Sequence, residues 1–78
     1  MTVNELRVII SKNNKIPSDC YSLDGGLPNE AFCIAHLSGK WEVYYSERGK
    51  KSNLKTFEME SEACEYFYER LQKMLRLN

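Results

Sequence analysis

Seventy-eight residues hold one hydrophobic core and leave no room for a second, so residues 1–78 form a single domain. Eleven basic side chains balance eleven acidic ones, which argues against a general phosphate binder, because nucleic-acid affinity rests on Lys and Arg neutralising phosphates. Three cysteines (Cys20, Cys33 and Cys64), odd in number and without C-x-x-C spacing, are not a disulfide framework.

No apolar run approaches the ~18 residues of a membrane span, and there is no signal-peptide core. A reducing cytoplasm is the expected compartment. Five Tyr, three Phe and one Trp are the material for a compact interior, since each such ring removes ~150–250 Å² from water.

In chain order, Thr2-Val3-Asn4-Glu5 fits a capping box, in which Thr2 accepts from the Glu5 N–H and Glu5 reaches back. Val3, Leu6, Ile9 and Ile10 then recur at helical spacing, so residues 3 to about 12 read as an amphipathic helix. Asn13-Asn14 ends it, because both side chains compete for backbone hydrogen bonds. Residues 15–29 carry both prolines and Gly25-Gly26 and read as a loop, with Tyr21, Leu23 and Leu27 pinning it to the core. Loops of this length are often functional.

Ala31 to Leu37 reads as a strand, Ser38-Gly39 as a two-residue turn, and Trp41 to Ser46 as the second strand. Alternation places Trp41, Val43 and Tyr45 on the buried face, and Glu42, Tyr44 and Ser46 on the solvent face. Residues 47–53 turn the chain. Lys51 to Glu58 forms a third strand, with Leu54 or Phe57 pointing inward, and their three-residue separation predicts a bulge or an early strand end. Ser61 caps a final helix, with Glu62 and Glu65 near its start and Lys73 and Arg76 near its end. Its apolar stripe is Cys64, Phe67, Tyr68, Leu71, Met74 and Leu75. The expected fold is α+β, in the order α-β-β-β-α: a three-stranded antiparallel meander with two helices packed on one face.

Catalytic chemistry is thin. Cys33-x-x-His36 has half the ligands of a metal site, but an odd separation on one strand sends the two side chains to opposite faces. Cys64 near a helix start invites a thiolate with His36 as base. Its position on the apolar stripe makes it a small hydrophobe instead. No catalytic residue, metal or cofactor is therefore expected, and the chain does not read as an enzyme.

Two charge clusters remain. Arg48, Lys50, Lys51 and Lys55 make a basic group at the hairpin tip, either a solvated turn or a contact for a partner. Glu58, Glu60, Glu62, Glu65 and Glu69 make an acidic band, either a complement to the helix dipole or a docking surface for a basic protein. The same element order occurs in double-stranded-RNA-binding domains, which need basic residues where this chain carries that band. RNA binding is therefore not expected.

The series Trp41-Glu42-Val43-Tyr44-Tyr45-Ser46-Glu47-Arg48-Gly49, followed by Phe57-Glu58-Met59-Glu60-Ser61-Glu62-Ala63-Cys64 and an aromatic helix, resembles small immunity proteins of bacterial polymorphic-toxin and contact-dependent growth-inhibition systems. The resemblance spans about residues 21 to 75. It implies a cytoplasmic antidote that binds the C-terminal toxin domain of a sibling cell, usually a nuclease, with no catalysis of its own. Interfaces in such families diverge with their toxins, so candidate contacts come from the residues themselves. They are the exposed strand face of Glu42, Tyr44 and Arg48, and Glu60, Glu62, Glu65 and Glu69 as a phosphate mimic. A monomer or weak homodimer that touches neither nucleic acid nor membrane is expected. A regulatory adaptor of the same fold is the alternative.

Overall fold

The computed structural model describes residues 1–75. Its elements are α1 (Val3–Ser11), β1 (Tyr21–Ser22), β2 (Ala31–Leu37), β3 (Lys40–Glu47), β4 (Lys50–Phe57) and α2 (Glu60–Met74). The α+β class is as expected, but the sheet has four strands in the order β1-β2-β3-β4. The extra strand lies inside the expected loop. Tyr21 and Ser22 run parallel to β2 opposite Phe32 and Cys33, and the Phe32 N–H donates to the Cys20 carbonyl at 2.9 Å. Two residues are too few to show a period, so nothing in their pattern marks a strand.

Both hairpins close in two residues at positive φ, Ser38-Gly39 (52° and 77°) and Arg48-Gly49 (52° and 73°). Positive φ at both positions is the type I′ signature that matches strand twist. The second turn is far shorter than the expected 47–53. Lys50 to Asn53 belong to β4, although Lys, Ser and Asn are weak strand formers. Pairing with Tyr45, Ser46 and Glu47 overrides their preference. A bulge is present, but it falls at Asn53 and Leu54, where the register shifts opposite Val43 to Tyr45 and Asn53 takes φ 54°, and not between Leu54 and Phe57, where pairing is regular from Lys55 on.

Both helices contribute to one core on the inner face of the sheet. Leu6 and Ile10 of α1, with Ala63, Cys64, Phe67 and Leu71 of α2, meet Phe32, Ile34 and Val43 from below. Phe32 and Phe67 stack at 4.9 Å between centroids. Trp41, Tyr45 and Phe57 are partly buried against this cluster. The expected inward side of β3 is therefore the observed one. Phe57, not the half-exposed Leu54, is the inward residue of β4. Ile9 is exposed, so the buried stripe of α1 is narrower than its apolar spacing suggests.

The helix starts differ. The Thr2–Glu5 capping box closes α1 as expected, with Thr2 Oγ1 accepting from the Glu5 N–H and Glu5 Oε1 accepting from the Thr2 N–H. The α2 cap is Met59 and uses no side-chain hydrogen bond. Ser61 therefore lies within the first turn and does not cap. Beside it, Glu60 Oε2 accepts the Val3 N–H at 2.8 Å, so a carboxylate on α2 satisfies one of the orphan donors that open α1. The expected role of Arg76 lies outside the described residues.

Candidate functional site

The outer face of the sheet departs furthest from expectation. Tyr44, expected in solvent, is 0 % exposed, and Ser46 is equally buried. Tyr44 is covered by the segment Asp24 to Leu27, which folds back over Ala35 and Tyr44, whereas Ser46 sits between Ala31 and Lys51 of the neighbouring strands. The Tyr44 hydroxyl donates to the Gly26 carbonyl at 2.6 Å, and Ser22 Oγ donates to the Gly25 carbonyl at 2.9 Å. Gly25 is at φ +72°, and a Cβ there would lie 3.0 Å from the Ala35 Cβ. Only glycine lets the backbone lie this flat on the sheet. The Arg7 guanidinium ties the same segment to α1, 2.9 Å from Asp24. Ala31, Cys33, Ala35 and Tyr44 thus form a second, smaller core.

Burial pushes the Tyr44 phenol up to about 12, with Cys33 and Glu42 adding to the shift. It is a structural hydroxyl and no longer a surface anchor.

Beyond that cover, the outer face carries polar and apolar groups together. Glu42 accepts a hydrogen bond from Lys51 Nζ at 2.9 Å, and the same ammonium lies 4.7 Å from the Tyr44 ring centroid. Around this pair Leu27, Leu37 and Leu54 are 52, 48 and 49 % exposed. Their exposure escapes a reading of the sequence because Leu27 and Leu54 look like core residues there. A shallow cleft of about 300 Å³ opens between Leu27 and Leu37, floored by Ala35 and Tyr44.

The other candidate contacts do not converge on this face. Arg48 projects from the hairpin tip and makes no ion pair among the described residues. Glu62, Glu65 and Glu69 lie on the solvent side of α2, across the molecule. The acidic band is also partly consumed. Glu60 holds the Val3 N–H, Glu69 pairs with Lys73 at 3.2 Å, and Glu58 pairs with Lys40 at 3.5 Å. Glu62 and Glu65 remain without a partner among the described residues. Nor is the basic group one patch. Lys51 opposes Ser46 on the outer face, whereas Lys55 opposes Val43 and lies 5.0 Å from the Tyr66 ring on the inner side. Four residues along a regular strand would share a face, and the bulge between them separates these two.

No catalytic arrangement is assembled among the described residues. Cys64 is fully buried, and burial first, then Glu60, push its thiol up to about 11. Such a thiol is not a nucleophile at neutral pH. The single histidine, His36, stacks on Trp41 at 4.2 Å with parallel rings, while Cys33 belongs to the outer-face core. No three His, Cys, Asp or Glu side chains come together to hold a metal ion among the described residues. No helix there is long and apolar enough to cross a membrane. Comparison with protein-family models, with curated proteins and with solved structures returned no match.

Proposed function

We propose that this chain is an immunity protein, a non-enzymatic cytoplasmic antidote that binds a cognate bacterial toxin domain, a nuclease, in a stoichiometric complex. The observation that carries this reading is the outer sheet face. Three half-exposed leucines surround the Glu42–Lys51 pair on a rigid, loop-braced surface that no helix covers. Clustered exposed apolar side chains with a polar centre suit protein recognition. The resemblance supplies the partner: Trp41 to Gly49 forms β3 and the hairpin tip beside this face. Glu42 and Arg48 remain proposed toxin contacts, with Glu62, Glu65 and the exposed Glu69 as a separate acidic contact. Glu60 and Tyr44 leave the contact set because each serves the fold.

The test is co-expression with the toxin domain encoded beside this gene, read by affinity purification and by growth. A one-to-one complex that restores growth is expected, and Leu37→Asp with Leu54→Asp should abolish both. Absence of a complex, or a complex without rescue, overturns the proposal.

A further inference from the structure

The basic end of the molecule holds a second concave surface, on the opposite side of the sheet. The backbone of α2 lies closer to β3 and β4 than that of α1, which reaches the inner face through Leu6 and Ile10. A cleft of about 340 Å³ is left between α2 and the β3–β4 hairpin. The rings of Phe32, Tyr45 and Tyr66 line it, with Arg70 and Lys73 from successive turns of α2. Two contacts hold the Tyr66 ring: Phe57 at 5.2 Å between centroids and the Lys55 ammonium at 5.0 Å.

Cations outnumber carboxylates here. Arg70 makes no ion pair among the described residues. Lys73 pairs with Glu69 at 3.2 Å, but both side chains are about two-thirds exposed, where such pairing is weak. Beyond the cleft the surface continues along the hairpin through Ser52, Lys50 and Arg48, with Glu47 as its carboxylate. Arg48, Lys50, Arg70 and Lys73 thus outnumber Glu30, Glu47 and Glu69, of which Glu30 and Glu47 both lie close enough to Tyr45 to add to the burial that raises its phenol. Aromatic walls with flanking cations match an apolar side chain set among carboxylates, because Arg presents a fork to a carboxylate while the rings accept an apolar body. The cations run past the cleft along the hairpin, which matches an extended segment better than a compact small molecule.

We propose that the cleft between α2 and the β3–β4 hairpin binds an extended acidic peptide segment with an aromatic residue, its ring against Tyr45 and Tyr66 and its carboxylates on Arg70 and Lys73. The cleft itself shares no residue with the outer sheet face, and the two surfaces meet only at Arg48 on the hairpin tip.

The test is an NMR titration of the isotope-labelled full chain with a blocked pentapeptide, a phenylalanine flanked on each side by two acidic residues. Amide shifts are expected at Asn53, Tyr66, Arg70 and Lys73. Raising salt from about 0.05 M to about 0.5 M should weaken them, since screening lengths shorten severalfold. Arg70→Glu should weaken binding at least about tenfold, and Leu54→Asp on the outer face should leave it unchanged. Arg70 and Leu54 are both exposed, and an unshifted spectrum elsewhere checks that each variant is folded.

Several results overturn the proposal: no shifts at millimolar peptide, equal binding of a basic pentapeptide, or shifts confined to the outer face. Equal affinity for phenylacetate alone would make this a small-anion site. Self-association through α2 without peptide would make it an interface between copies.

Discussion

The two faces of this sheet are closed by different means. Below, the cover is side chains: Leu6, Phe67 and Leu71 reach from helices onto Phe32, Ile34 and Val43. Above, the cover is backbone: Gly25 and Gly26 lie on Ala35 and Tyr44, fastened by one phenolic hydrogen bond. Side-chain cover announces itself by period, since a helix must repeat its apolar residues every three or four positions to seal a core. Backbone cover has no period. Its only marks are a glycine pair and a tyrosine on what looks like the wet side of a strand.

The contrast breaks most sharply at Phe67. Phe67→Ala removes a fully buried ring stacked on Phe32, at a cost of ~3–5 kcal/mol, a large share of the ~5–15 kcal/mol total of a natural domain. Urea denaturation should place its midpoint far below wild type, if the variant folds at all. A near-wild-type midpoint would mean that α2 does not organise the lower core.

Gly25→Ala probes the upper cover. It imposes φ +72° on an L-residue and sets a Cβ 3.0 Å from that of Ala35, for a loss of about 1–3 kcal/mol. Ala35→Gly in the same chain should recover the contact part of that loss but not the backbone part. A double-mutant cycle separates the two, and strict additivity would show that the loop does not press on Ala35.

Tyr44→Phe is milder. It deletes the bond to Gly26 while keeping the ring, for about 1 kcal/mol. It also carries a pH signature. Folding raises the Tyr44 phenol from 10 to about 12, so the neutral form is favoured in the folded state. That stabilisation is complete below pH 10 and is lost as pH rises towards about 12. The wild-type midpoint should fall across this window, and the fall should shrink in Tyr44→Phe. Unchanged alkaline behaviour would return Tyr44 to solvent.

The smallest effect belongs to Leu54→Asp, whose side chain is half exposed. Its stability should stay within about 0.5 kcal/mol of wild type, so that any loss of toxin binding reports on contact alone.

Legibility in the sequence follows the same division. The capping box, the first hairpin turn, the inward side of β3 and the Cys64, Phe67 and Leu71 part of the α2 stripe could all be read, because each rests on local spacing, whereas Met74 of that stripe is exposed and the β4 bulge falls at Asn53 and Leu54. Tyr44 and Ser46 were placed in solvent because alternation says which residues share a face and nothing about what lies upon it. Ser61 looked like a cap because Ser favours that position, yet the chain starts the helix one residue earlier and uses Glu60 across 57 positions of sequence. Long-range partners of that kind leave no local trace. The candidate contacts fared accordingly. Arg48 keeps an exposed position and Glu42 is largely covered by its pairing with Lys51, while Tyr44 and Glu60 are drawn into the fold by groups far away in the chain.

The bond between Glu60 and the Val3 amide also bears on the order of folding. The backbone of α1 approaches no element except α2, and α2 also supplies the carboxylate that satisfies its opening N–H. The helix translated first therefore has an incomplete seat, the sheet side chains that meet Leu6 and Ile10, until the helix translated last has formed. Nine residues are too few to persist alone in water, so during synthesis α1 waits as fluctuating chain while the hairpins assemble by local contacts. Its docking is the closing event, and its amides should be the first among the helices to exchange with solvent.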